Sequence, residues 1–163
     1  MQVVLDEKTM PKIPGAKIAI LQSKWYSEQL DSMSKKCIEM LVAAECPTPE
    51  FYILPGSWEL PLAAKTIMRS APEDKPYDVI IVFGAIMKGE TYHFEMIADA
   101  CSRDFGAVML SEGVPIINEV IPITKMEQLV ARSADDGFNK GIEAALAAAE
   151  IITWRRELAE RKN

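Results

Sequence analysis

Histidine and cysteine are scarce in this sequence, whose 163 residues include one histidine and three cysteines. The cysteines, Cys37, Cys46 and Cys101, form no CxxC pair, so the spacing indicates neither a disulfide framework nor a zinc site. One histidine without clustered thiols cannot build a typical transition-metal site. We therefore expect reduced thiols, a cytoplasmic location, and no metal or cofactor.

Long apolar runs and an excess of positive charge are also missing. The most apolar stretch, residues 79–87, is far shorter than the roughly 18 residues that a membrane span requires. The start of the chain lacks the charged-then-apolar pattern of a signal peptide. Acidic residues number 24 and basic residues 18, which gives a formal net charge of -6. We expect neither a membrane protein nor a nucleic-acid-binding protein.

Apolar periodicity predicts strands that alternate with helices in one domain. The predicted strands are residues 17–22, 51–54, 78–83 and 115–121. The predicted helices are residues 30–44, 60–70, 94–109 and 125–133, and a long one from Asn139. Crossover helices between strands imply a parallel sheet, so we expect an α/β three-layer sandwich with four parallel strands. We expect residues 17–163 to form this domain and residues 1–16 to be an extension, in which Gln2–Leu5 is a candidate for a short strand that pairs with a neighbouring subunit.

Ligands of open parallel sheets bind beyond the carboxyl ends of the strands, so the segments that follow the strands carry the chemistry. The longest, GAIMKGETYHF at residues 84–94, is predicted to be a loop that enters a helix near Thr91. Backbone N–H groups and the helix dipole at that start favour an anion such as phosphate. A plain loop with Thr91 as a helix cap fits the same pattern.

His93 lies in the first turn of that helix. Its imidazole can transfer protons near neutral pH. A partly buried histidine that bonds a backbone carbonyl is the equally open alternative. The absence of GxGxxG, GxxxxGK[ST] and GxSxG motifs excludes the usual dinucleotide, P-loop and hydrolase signatures.

Aromatic and charged residues follow the other strands. Trp25 and Trp58 offer flat faces for a planar heterocycle, although each is also typical of a core position. Glu59 offers a carboxylate to sugar hydroxyls, or stabilises the first turn of its helix. Arg132 and Lys140 are candidate phosphate ligands, or solvated surface cations.

Four segments resemble the lumazine synthase family in order and spacing: PGSWELPLAAK from Pro55, GAIMKGETYHFEMIAD from Gly84, VPIINEVIPITKMEQLVAR from Val114 and NKGIEAALAAAEI from Asn139. The resemblance extends from about Lys17 to Trp154. It implies a flavodoxin-like sandwich that assembles into pentamers, decamers or icosahedral shells. It also implies a cofactor-free condensation in riboflavin biosynthesis, in which 5-amino-6-(ribitylamino)uracil and 3,4-dihydroxy-2-butanone 4-phosphate give 6,7-dimethyl-8-ribityllumazine.

The resemblance implies a role for each matched position. On the pyrimidine side these are Trp25 for stacking, Ser57, Trp58 and Glu59 for the ring and ribityl chain, and Ala85, Ile86 and Met87 for the ring edge. On the phosphate side they are the backbone of Glu90 and Thr91, Arg132 from the adjacent subunit, and Lys140. His93 matches the residue that transfers protons.

Departures from the family pattern leave alternatives open. Asn118 stands where an aromatic side chain from the neighbouring subunit is common, and Asp136, preceded by Asp135, stands where lysine is common. Lys24 replaces a frequent arginine. These changes are compatible with a paralogue that binds flavins or lumazines with little or no catalysis. A shell-forming structural protein is a third possibility, because no insertion separates Arg132 from Asn139.

Overall fold

Four strands alternate with five α-helices in the computed structural model, which describes residues 10–162. In chain order the elements are β1 (Ile18–Ser23), α1 (Ser27–Ala43), β2 (Glu50–Leu54), α2 (Leu60–Ser70), β3 (Val79–Met87), α3 (His93–Glu112), β4 (Ile116–Ile123), α4 (Met126–Ser133) and α5 (Lys140–Glu160). A 3-10 turn, Ser57–Glu59, leads into α2. The segment Gln2–Leu5, expected to form a strand, lies outside the described residues.

All strand pairs are parallel, and the strand order is β2-β1-β3-β4. Side chains alternate between two cores: Ile18 and Ile20 of β1 belong to the one that contains α1, α4 and α5, whereas Ala19 and Leu21 belong to the one that contains α2 and α3. The α/β class, the four-stranded parallel sheet and the three layers are therefore confirmed. None of the helices within residues 10–162 is long and apolar enough to cross a membrane.

The strand order creates a crevice at the carboxyl end of the sheet, between β1 and β3. The chain runs from β1 to the edge strand β2 and then returns past β1 to β3, so α1 and α2 cover opposite faces. Between β1 and β3 the loops beyond the strands diverge, and this is where open α/β sheets bind ligands. Residues before β1 pack onto the domain as well: Ile13 is fully buried, and its N–H donates to the Ala44 carbonyl at 2.9 Å.

Two predicted boundaries at the carboxyl end of the sheet were wrong. Strand β3 continues through Ala85, Ile86 and Met87, which the sequence placed in a loop, because β4 stays in register with it as far as the pair Met87–Ile123. Helix α3 begins at His93 rather than near Thr91.

Candidate functional site

A cavity of about 850 Å³ opens beyond the carboxyl ends of β1, β2 and β3. Its lining includes a large part of the residues singled out from the sequence, which are Trp25, Ser57, Trp58, Glu59, Ala85, Ile86, Met87 and His93. The wall is mainly apolar and aromatic, with a carboxylate and an imidazole. Such a composition suits a planar organic ligand with a few polar groups.

The turn after β1 presents Trp25 to the cavity. Tyr26 adopts a left-handed conformation with φ 61° directly before α1, a strained geometry for a bulky residue. This tight turn leaves Trp25 61% exposed, and the Lys24 ammonium lies 5.2 Å from the centre of its ring system. The turn therefore holds the indole at the rim, with the Lys24 ammonium over its ring and more than half of its surface exposed.

The 3-10 turn after β2 supplies a second aromatic wall. Trp58 is 55% exposed, whereas Ser57 beside it is buried. The Sγ atom of Cys101 on α3 donates to the Ser57 carbonyl at 3.3 Å. A Cβ atom on Gly84 would lie 2.8 Å from Ser57 Oγ, so the absence of a side chain at Gly84 lets the turn approach β3 this closely.

Glu59 folds back towards the start of this turn. A Cβ atom on Gly56 would lie 3.0 Å from Glu59 Oε2 and 3.9 Å from Trp25 Nε1. The carboxylate and the indole N–H are thus gathered around Gly56. A ligand here meets an aromatic face and a hydrogen-bond acceptor side by side.

His93 opens α3 and its side chain is exposed to the cavity. This placement differs from the alternative of a partly buried histidine bonded to a carbonyl. Met96 and Ile97 line the cavity one turn further along α3. Because residues three and four apart share a helix face, the helical period could have identified both from His93. It would not have identified Tyr26, Pro55 and Gly56, which also line the cavity.

The loop between β3 and α3 carries Glu90 and Thr91, which are exposed and do not line the cavity. Lys88 at its start donates its N–H to the Ile123 carbonyl at 2.8 Å. The Lys88 ammonium lies 2.9 Å from Glu95 Oε1, and that hydrogen bond lowers the pKa of Glu95. The loop that was predicted to bind an anion therefore connects β3 to α3, both of which line the cavity. Its lysine, Lys88, already forms an ion pair with Glu95 in the first turn of α3.

Asn118, Arg132 and Lys140 do not line the cavity of their own chain. Asn118 Oδ1 accepts the Val120 N–H at 3.0 Å, Arg132 Nη1 donates to the Gln128 carbonyl at 2.8 Å, and Lys140 hydrogen-bonds Glu143. The structure thus brings together His93 and the residues that were expected on the pyrimidine side. Arg132 and Lys140, which were expected on the phosphate side, lie outside this cavity.

The turn that precedes Lys140 is fixed by hydrogen bonds. Asp136 Oδ1 accepts the Phe138 N–H at 2.8 Å, and Asn139 Oδ1 caps α5 by accepting the Gly141 N–H at 2.8 Å. Asp136, which stands where the family often has lysine, therefore has a local structural role in this chain. Asp135 is 95% exposed, with Oδ1 3.8 Å from the ammonium of Lys36.

Glu119 is a titratable residue that sequence reasoning missed. It is only 8% exposed, and burial raises its pKa to about 8 against the attraction of Lys140. Ile117 and Ile121 flank Glu119 at the two-residue period of a strand and therefore share its face, but the sequence does not show that α1 and α5 cover that face. Within residues 10–162 no group of three or more His, Cys, Asp and Glu side chains could hold a metal ion.

Comparison with known proteins gives a consistent result along nearly the whole chain. The family model of 6,7-dimethyl-8-ribityllumazine synthase matches residues 15–156. A 6,7-dimethyl-8-ribityllumazine synthase of Xanthomonas oryzae pv. oryzae (strain PXO99A) is 32% identical over 141 residues, which cover 85% of this chain and 89% of that protein. One of the same name from Xanthomonas euvesicatoria pv. vesicatoria (strain 85-10) is 32% identical over 139 residues, 84% of this chain and 88% of its own length.

Proposed function

Because the chain belongs to the 6,7-dimethyl-8-ribityllumazine synthase family, we propose that it is a transferase that makes this lumazine without a cofactor. The substrates are 5-amino-6-(ribitylamino)uracil and 3,4-dihydroxy-2-butanone 4-phosphate. The single observation that carries the proposal is the cavity in which Trp25, Trp58 and His93 meet. We place the enzyme in the cytoplasm, because its three thiols are free and buried.

The pyrimidine substrate occupies the aromatic part of the cavity. Trp25 and Trp58 are both more than half exposed, at 61% and 55%, and covering such faces with a flat ring removes apolar area from water. Ala85, Ile86 and Met87 line the ring edge. Glu59 accepts hydrogen bonds from the ribityl hydroxyls, and the buried hydroxyl-bearing Ser57 fixes the turn against β3 beneath them.

The reaction requires proton transfers, which we assign to His93. The substrate amine attacks the ketone, water is lost to give an imine, phosphate leaves, and the ring closes with loss of a second water. Each step moves a proton, and a positioned general acid–base contributes a factor of about 10²–10⁴. Holding the two substrates together contributes several kcal/mol more.

Arg132 and Lys140 hold the phosphate in a site shared between subunits of a pentamer or a multiple of it. Two observations support this arrangement: neither cation lines the cavity of its own chain, and the edge strand β2 exposes Phe51, Tyr52 and Ile53 by 41%, 41% and 53%. The backbone of Glu90 and Thr91 in the loop before α3 completes the phosphate site. Asn118 of the adjacent subunit reaches the pyrimidine, where an amide replaces an aromatic contact.

The test is a coupled measurement of product formation and ligand binding. Purified protein is mixed with both substrates, and the absorbance of the lumazine is followed over time. Formation of the chromophore is the expected result. Absence of product at high protein concentration refutes the proposal, and tight riboflavin binding without turnover would instead favour a flavin-binding paralogue.

A further inference from the structure

A cysteine makes a hydrogen bond between two of the segments that build the candidate site. The Sγ atom of Cys101 on α3 donates to the Ser57 carbonyl of the 3-10 turn at 3.3 Å. Within residues 10–162 this is the one hydrogen bond that joins the turn, Ser57–Glu59, to α3. Cys101 is 2% exposed, and burial together with the negative charges of Asp104 and Glu59 raises the pKa of its thiol to about 11. The thiol is therefore a protonated donor at neutral pH.

Cys101 continues the face of α3 that borders the cavity. His93 and Ile97 line the cavity, and Cys101 follows them at the same four-residue spacing. Residues four apart share one face of a helix, so the three side chains form a row about 12 Å long. His93 is the exposed end of this row and Cys101 is the buried end. The hydrogen bond of Cys101 thus ties the turn to the helix that presents the imidazole.

The other polar groups of Ser57 do not hold the turn to α3. Its carbonyl also accepts the Leu60 N–H, a bond that closes the turn and joins it only to the start of α2. Its hydroxyl is buried and has no hydrogen-bond partner among residues 10–162, so its close approach to Gly84 is a steric contact. Loss of the Cys101 donor would therefore leave the Ser57 carbonyl paired but would release the turn from α3.

We propose that Cys101 is a positioning residue, whose thiol fixes the turn that carries Trp58 and Glu59 against α3. The inference rests on the proposed function, which assigns this turn to the ring and ribityl chain of the pyrimidine and assigns proton transfer to His93. The turn and α3 must keep their spacing for one ligand to meet both of them in the productive geometry. A turn released from α3 has to be ordered by the ligand, and this ordering costs affinity.

Cys101→Ala and Cys101→Ser separate the hydrogen bond from the packing, because both leave a similar gap in the core and only the second keeps a donor. Binding of 5-amino-6-(ribitylamino)uracil alone is measured by quenching of tryptophan fluorescence. Cys101→Ala should lower the affinity by about fivefold, within the range of one lost hydrogen bond, and Cys101→Ser should restore most of it. In steady-state kinetics Cys101→Ala should raise KM for the pyrimidine and leave KM for the butanone phosphate unchanged.

Cys46→Ala is the matched control. Cys46 is 4% exposed and its thiol donates to the Pro47 carbonyl at 3.2 Å, but it belongs to the core on the opposite face of the sheet from Cys101. Cys46→Ala should lower the thermal unfolding temperature and leave the affinity for the pyrimidine unchanged. An equal loss of affinity in Cys46→Ala and Cys101→Ala would mean a general loosening of the fold and would overturn the proposal.

Should Cys101→Ala fail to fold, infrared spectroscopy of the parent protein tests the same hydrogen bond. The S–H stretching band of Cys101 is identified by its loss in Cys101→Ser. Binding of the pyrimidine, which orders the turn, should strengthen the hydrogen bond and move this band to lower frequency. An unmoved band would overturn the role of Cys101.

The two proposals fail in distinguishable ways. Equal affinities of Cys101→Ala and Cys101→Ser, or of Cys101→Ala and the parent, would overturn the role of Cys101 and leave lumazine formation by the parent untouched. The expected affinities without any lumazine after addition of the second substrate would refute the enzyme and leave the role of Cys101 standing. No binding of the pyrimidine by the parent would refute both.

Discussion

At the scale of single residues, the proposed role of His93 in proton transfer can be tested with little effect on the fold. The imidazole is exposed at the first position of α3 and faces the cavity. His93→Ala should therefore lower kcat by about 10²–10⁴ while the thermal unfolding temperature stays unchanged. Steady-state kinetics beside a melting curve separates the two effects. A variant with parental kcat would remove His93 from the mechanism.

Glu119 makes a prediction about stability that is independent of catalysis. The pKa of this carboxyl is about 8 in the folded protein and 4.5 without the fold, so the folded state binds more protons between these values. The contribution of Glu119 to the free energy of unfolding must then fall as pH rises from about 4.5 to 8, by up to about 1.4 kcal/mol per pH unit. Glu119→Gln should not show this loss.

Urea unfolding of the parent and of Glu119→Gln at pH 5, 6.5 and 8 measures this difference. The free energy of unfolding of the variant, relative to that of the parent, should increase at each step towards alkaline pH. A constant difference would mean that Glu119 is ionised in the folded protein throughout, which contradicts its burial.

At the scale of elements, the packing of α1 against α5 depends on Gly141. A Cβ atom at this position would lie 2.1 Å from the Met33 carbonyl oxygen and 2.9 Å from the Cys37 nitrogen, both backbone atoms. Because backbone cannot step aside as a side chain can, Gly141→Ala should lower the free energy of unfolding by about 1–3 kcal/mol or more. The backbone movement that relieves this contact would also displace Lys140, the preceding residue.

Gly106→Ala on α3 is the matched control. Nothing lies within 4 Å of a Cβ atom built there, and alanine is the better helix former. This change should be neutral or stabilise the protein by about 0.4–1 kcal/mol. Denaturant unfolding of both variants compares the two sites, and equal destabilisation would show that helix propensity rather than the close contact governs Gly141.

The elements also show what the sequence predicts well and where it fails. Helix α2 begins and ends at the predicted residues, Leu60 and Ser70, because Pro61 suits only a first turn and the apolar period is regular. The predicted end of β3, residue 83, was wrong, because Gly84 is typical of the end of a strand. In the structure this glycine instead admits Ser57 against a strand that continues to Met87.

The residues of the candidate site fall into the same two groups, those that the sequence predicts and those that it does not. Residues close in sequence to strand ends, such as Trp25, Trp58 and His93, were predicted to lie near a ligand and do line one cavity. The burial of Glu119 arises from the approach of α5 to β4, a tertiary contact between distant segments. Local periodicity places Glu119 on the strand face of Ile117 and Ile121, but it contains no information about the helices that cover this face.

At the scale of the whole molecule, the account requires that several chains assemble. The residues proposed to bind the pyrimidine line one cavity, and Arg132 and Lys140 lie outside it. Arg132→Ala should consequently raise KM for the butanone phosphate more than KM for the pyrimidine, because one charge-assisted contact to phosphate is lost. Varying each substrate at saturation of the other measures this, and equal effects on both KM values would contradict the assignment.

The proposed site between subunits also predicts the size of the assembly. Light scattering of the purified protein should give a mass that is a multiple of five chains of 18.1 kDa. Closed shells, stacked pentamers and single pentamers all share the proposed contact. A monomer at micromolar concentration would leave Arg132 without a neighbouring cavity.

Co-assembly of two impaired variants tests the shared site most directly. His93→Ala and Arg132→Ala chains are unfolded together, refolded as a 1:1 mixture, and assayed for lumazine. If each site takes His93 from one chain and Arg132 from the next, about a quarter of the sites in a randomly mixed ring regain both residues and activity returns. Activity no higher than the mean of the two separate variants would contradict a site built between subunits.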